Sequence, residues 1–270
     1  MNKKGHLASA IAAGTGVLLM LPSINAATSL LPSIALILGA AAGGFSPDFD
    51  HKTSTASQLI QFSAKRRARL RFLAMCFLFI GTLIWGWAKF NVSPTPEWLV
   101  HSAPLWIGAG LICSLAARLR VIVLIGLGVM LVWGYSQNDW HWVSVVAGCS
   151  FLLLPFVKHR GVIHSPEFAL LLSYSLWLFS GEQGIMVQAL MLGFIVGWWA
   201  HLVGDCFGRE GISSLLIPKF KVALKLFHNG GQTESWISRF CWIASICIWM
   251  ILISRNFHDF GLMLSSKLLP

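Results

Sequence analysis

Charge is what this chain has least of. Only 11% of its 270 residues are Asp, Glu, Lys or Arg, against about 25% in an ordinary soluble domain. That shortage, with a hydrophobic share of 56% and a mean hydropathy of +0.71, excludes one or two soluble domains. Paired cysteine motifs are missing as well. Cys76, Cys113, Cys149, Cys206, Cys241 and Cys247 form no C-x-x-C pair, and most sit in apolar runs, where a free thiol behaves as a small hydrophobe. A disulfide framework and a thiolate zinc site are thereby excluded. No internal repeat or low-complexity linker divides the chain.

What the chain does have is a series of apolar runs approaching the ~20 residues that cross a bilayer core. They fall at 7–24, 29–46, 72–89, 103–117, 121–135, 142–157, 166–180, 185–204 and 240–254. The expectation is an all-α, polytopic membrane protein of about nine (8–10) transmembrane helices. The first 27 residues also fit a cleaved signal peptide, but the apolar run that follows at once suits a helical hairpin better.

If all nine runs cross and the N-terminus is cytoplasmic, the loops alternate sides. Of the 20 Lys and Arg residues, only Lys89, Arg255 and Lys267 then fall outside the cytoplasmic set. A bias of that size is what orients a multi-pass protein in a bacterial inner membrane. The net charge of +10 therefore reports topology, and no nucleic-acid partner is expected. Trp85, Trp87, Trp98, Trp140, Trp142, Trp198, Trp199 and Trp236 lie near span ends, as an interfacial belt requires. The run Lys65 to Arg71 reads as an orientation anchor touching anionic headgroups, or more sharply as a lure for an anionic substrate.

The remaining polar groups collect at span ends, all on the side that Lys and Arg assign to the cytoplasm. His6 opens the first run, and "PDFDH" (Pro47, Asp48, Phe49, Asp50, His51) closes the second. His159 and His164 lie between the sixth and seventh; His201 and Asp205 close the eighth. His201 and Asp205 are i and i+4, on one face of a helix. Gly161 lets "HRGVIH" bend so that its histidines converge. Ser165, Pro166 and Glu167 read as N-cap, first helical residue and first-turn acid. Taken singly, each group has a simpler reading: a snorkelling histidine, a polar turn, a packed hydrogen bond, a loop on anionic lipid. Their gathering on one face favours a metal site. Imidazole and carboxylate without thiolate suit zinc, or manganese or iron, and so many ligands suit two or more divalent ions. His51 is a weaker member, placed to relay protons. His101, His141 and His258 fall on the other side.

The order of these motifs resembles a known family. Gly5-His6, Pro47 to His51, His159 to Ser165, His201 to Asp205, Gly211 to Pro218 and Gly231 to Glu234 are similar to motifs of the membrane-bound metal-dependent hydrolases, described as LexA-binding and inner-membrane-associated. The resemblance implies one membrane-embedded hydrolase-like domain over 1–270, with 72–150 an inserted block of four helices. It implies His6, Asp48, Asp50, His159, His164, His201 and Asp205 as ligands, and Glu234 as a late ligand or acid/base group. The family's Thr before the second histidine is here Ile163, which removes a hydroxyl. The ligand pattern is similar to that of bacterial zinc phospholipase C, which implies hydrolysis of a phosphoester or lipid-like substrate. Two other classes compete. A divalent-metal transporter or sensor requires a polar path through mid-span, and few such residues exist. A non-enzymatic membrane protein would recruit a cytoplasmic regulator through its basic loops.

Overall fold

The computed structural model describes residues 1–20, 30–50, 60–90, 96–157, 161–217 and 220–268, with side chains of 49, 50 and 255–268 left aside. Among them are nine helices: α1 (Lys3–Met20), α2 (Leu30–Phe45), α3 (Ala64–Lys89), α4 (Glu97–Ala117), α5 (Leu119–Asn138), α6 (Val143–Leu153), α7 (Pro166–Gly181), α8 (Ile185–Phe207) and α9 (Gln232–Leu268). Two 3-10 turns, Ser46–Asp50 and Val162–His164, and a two-stranded ribbon, β1 (Ile212–Ser213) with β2 (Lys221–Val222), complete it. α2, α3, α4, α5, α8 and α9 contain stretches long and apolar enough to cross a membrane. The fold is all-α and polytopic. Large apolar side chains such as Phe72, Met75, Phe79, Leu105, Ile112 and Phe240 stand exposed on these helices, as lipid contact requires.

The most extensive packing joins α2 to α8, and glycine makes it. Gly39 and Gly43 on α2 face the backbone carbonyls of Leu190 and Phe194, while Gly193 and Gly197 on α8 face those of Leu36 and Ala40. A Cβ at any of the four would overlap the opposing carbonyl. Two G-x-x-x-G faces are thus pressed together, the arrangement that brings helix backbones closest in lipid. Leu18, Leu36, Ala189 and Leu252 fill the space around this contact. α1 packs on both members of this pair, and α9 packs on α1. The other helices couple more locally: α3 to α4 through Gly81 and Gly110, and α5 to α6 through Gly128 and Gly148.

Three elements differ from the apolar runs. α3 begins eight residues early, at Ala64, because the Ser63 hydroxyl accepts from the Arg66 amide at 3.4 Å and caps it. The basic run from Lys65 is therefore its first two turns, not a loop. α6 stops at Leu153, close before Pro155, which has no N–H to continue the helical hydrogen-bond ladder. Its 11 residues rise roughly 16 Å, short of the ~30 Å core. α9 starts at Gln232, eight residues before the apolar run, and takes Glu234 into its first turn. Trp198 also departs from the interfacial belt: it is buried against Phe168 and Phe194.

Replacing Gly43 or Gly197 by Leu should cost more than the ~1–3 kcal/mol usual for overpacking, since backbone must move. Gly126→Ala, with nothing within 4 Å of the new methyl, should be neutral or stabilising by up to ~1 kcal/mol. Thermal unfolding in detergent separates the two.

Candidate metal centre

The close approach of α2 and α8 carries two polar helix ends together. On α8, the i,i+4 pair His201 and Asp205 points into the bundle, 0% and 1% exposed. The His201 Nδ1 lies 2.8 Å from the Gly44 carbonyl at the end of α2. A carbonyl only accepts, so Nδ1 carries the proton and the Nε2 lone pair is left for a ligand. Asp48, four residues beyond Gly44, sets its Oδ1 3.8 Å from that Nε2.

His164 arrives from the third side. The Ser165 hydroxyl caps α7 by accepting from the Phe168 amide at 3.1 Å and donates to the Val162 carbonyl at 2.8 Å. Pro166 opens the helix, and the His164 amide closes the turn on the Gly161 carbonyl. So fixed, the fully buried His164 puts its Nε2 3.8 Å from Asp48 Oδ1 and 4.0 Å from Asp205 Oδ2. His201 Nε2 is 3.5 Å from the same Oδ2. His6, near the start of α1, stacks on the His201 ring with centroids 3.7 Å apart and places its Nε2 3.3 Å from the other oxygen, Asp205 Oδ1. The Met1 ammonium reaches that oxygen at 3.0 Å.

These residues fit a divalent ion. Four ligand atoms, His164 Nε2, His201 Nε2, Asp48 Oδ1 and Asp205 Oδ2, stand 3.5–4.0 Å apart across the four His–Asp pairs. Tetrahedral ligands at zinc bond lengths lie about 3.3 Å apart, so each of these four His–Asp pairs would close by roughly half an ångström around an ion. His6 and Asp205 Oδ1 lie outside it and mark a second position, with Asp205 able to bridge. The ligand atoms form two overlapping triads, His6–His201–Asp205 and Asp48–His164–His201. His201 Nε2 and His6 Nδ1 are buried without a hydrogen-bond partner. Leaving such groups unmet costs about 1–3 kcal/mol each, and a cation at the centre removes the first of these costs. Asp48, with 24% of its side chain exposed, is the open edge of the cluster.

Of the expected ligands, five converge: His6, Asp48, His164, His201 and Asp205. The Asp50 side chain, His51 and His159 lie outside the described residues. Glu234 occupies a different place. It is 1% exposed, and its carboxylate accepts from the Asn2 and Gly230 amides, each at 2.6 Å. It ties the start of the chain to the start of α9 and so positions His6. Ile163 points away from the cluster into the apolar packing of Phe168, Leu172 and Trp198. The Gly44 carbonyl and the Met1 ammonium carry no residue-type signal. What could have marked them is spacing: Gly44 lies four residues before Asp48.

A family model described as YdjM inner membrane protein matches residues 1–266. No curated protein and no solved structure matches the chain.

Glu234→Ala should cost about 1–3 kcal/mol for each stranded amide, while the folded fraction keeps its full complement of metal. Unfolding curves and metal analysis on the same preparation distinguish this positioning role from a ligand role.

Proposed function

We propose that this chain, which belongs to the YdjM inner membrane protein family, is a metal-dependent hydrolase whose centre faces the cytoplasm. One observation carries the reading: four helix ends, with no thiolate among them, converge five imidazole and carboxylate side chains at 3.3–4.0 Å. The Lys and Arg bias supports the orientation. A transporter would spread ligands through the depth of the bundle, whereas these sit at one end of it.

His164, His201, Asp48 and Asp205 would hold the first ion, zinc by donor set, with manganese or iron as the other candidates. His6 and the far oxygen of Asp205 would serve a second. When bound, such ions supply Lewis acidity and make water nucleophilic near neutral pH. The protein's own part is orientation and exclusion. Gly44 fixes the His201 tautomer, and the Ser165 cap fixes His164. Burial of His6, His164, His201 and Asp205 keeps bulk water from all but the Asp48 edge among the described residues, so water would enter there. A phosphoester fits: water adds to phosphorus, the ester P–O bond breaks, and the leaving oxygen takes the proton. Its negative oxygens suit a cationic centre.

Detergent-purified protein should carry stoichiometric metal and hydrolyse a chromogenic phosphodiester. His164→Ala or Asp205→Ala should remove both, by more than the roughly 10–100-fold typical of outer-shell changes. His101→Ala and His141→Ala should leave both intact. Absence of bound metal in the folded wild-type protein would sink the reading.

A further inference from the structure

An apolar cavity of about 730 Å³ lies between α1, α8 and α9. Ser9 and Ala13 of α1 and Ala200 and Gly204 of α8 form it by being small, and Ile237 of α9 closes its far wall. Along α8 it runs from Ile195 to Phe207, roughly 18 Å at the helical rise. One leaflet's share of the ~30 Å hydrocarbon core is slightly less. At its outer end the chain seals it: the Leu224 and Leu226 amides donate to the last carbonyls of α8, on Cys206 and Phe207, at 2.8 and 2.9 Å. This lays Leu226 and the buried Phe227 across the cavity.

The His/Asp cluster lies behind one wall of this cavity. Gly204 and Met1 line that wall; Gly204 immediately precedes Asp205, and a Cβ there would stand 2.8 Å from Met1 Sδ and 3.4 Å from His6 Nδ1. That nitrogen is buried and has no hydrogen-bond partner. The channel is therefore apolar over about one leaflet's depth and passes, at Gly204, directly beside the cluster.

We infer that this cavity holds one acyl chain of a phosphate-headed membrane lipid, with the headgroup ester at the His/Asp centre. A lipid fits each part: methylenes would lie against Ala13, Ile195 and Ile237, and the phosphate or ester oxygens beside Gly204, next to the His/Asp cluster. A short soluble phosphoester would leave the apolar length unused, and a hydrocarbon without a headgroup would leave the adjoining polar cluster unused. As a substrate subsite the cavity rests on the hydrolytic reading above; as a lipid site it stands without it.

The test uses the full chain in phosphatidylethanolamine and phosphatidylglycerol vesicles carrying a trace of phosphatidic acid with a diazirine in mid-chain. After illumination, label should concentrate on residues 9–13 and 195–204 at least tenfold above the lipid-exposed Phe72, Met75 and Phe79. Ala13→Trp should lower that labelling at least tenfold with metal content unchanged. Ile237→Trp, on the outer wall, carries the same expectation should the first variant fail to fold. Even labelling of the cavity and α3, or labelling that both variants leave unchanged, overturns the inference. Cavity labelling in metal-free protein would keep the lipid site and fell the hydrolytic reading. Bound metal and diester hydrolysis without cavity labelling would do the reverse.

Discussion

Everything at the polar end of this molecule depends on how closely α2 and α8 approach. Four glycines, Gly39, Gly43, Gly193 and Gly197, each meet a carbonyl of the opposite helix where a methyl would not fit. In lipid there is no hydrophobic drive to bring helices together, so dispersion at such backbone contacts sets the spacing. The same contact sets the chemistry. Gly44 follows Gly43, and its carbonyl lands on His201, four residues after Gly197. Asp48 and Asp205 then follow one helical turn later on their two chains. A helix pair held an ångström or two further apart would leave His201 without its orienting carbonyl and the two aspartates too distant to share an ion.

The cluster this creates gathers buried charge, and the Met1 ammonium at 3.0 Å from Asp205 Oδ1 offsets only part of it. Asp205 is 1% exposed and Asp48 is near it, with three buried imidazoles between and around them. Burying a carboxylate is unfavourable unless it is paired or coordinates a metal. Hydrogen bonds alone do not settle the arrangement. The His201 ring has its Nδ1 on a carbonyl, while its Nε2 stands 3.5 Å from Asp205 and 3.8 Å from Asp48 without a hydrogen bond. A polar network built only for stability would pair these groups with serine, threonine or amide side chains. The sequence supplies imidazoles and carboxylates instead.

Much of the fold and the centre was legible in the chain itself. Nine apolar runs became nine helices among the described residues, because a run near bilayer length with no charge has few alternatives. His6, Asp48, His164, His201 and Asp205 were legible together because each ends or begins a run and alternation sends all of them to one side. Boundaries were less so. Ser63 extended α3 and Pro155 cut α6 short, and both are single-residue effects that hydropathy averages away. Glu234 was expected as a late ligand or acid/base group, and its carboxylate accepts from the Asn2 and Gly230 amides; residue type does not tell a carboxylate on metal from one on two amides. The G-x-x-x-G pairs were present in the sequence, yet which helix each face meets is a tertiary fact. Gly44 acts through its carbonyl, and backbone groups carry no residue signature at all.

Position explains why the centre is built at helix ends. Mid-span, two aspartates would meet hydrocarbon on every side, at a cost of several kcal/mol each. In a loop they would be hydrated, and water would compete for any cation. At the end of a glycine-locked helix pair they are dry on the bundle side and, among the described residues, most open at Asp48. The apolar cavity along α8 passes Gly204, one residue from Asp205. A cation reaching the proposed centre from the polar side and a hydrocarbon chain in the proposed lipid site would thus meet at one carboxylate, which neither a mid-span nor a loop position offers.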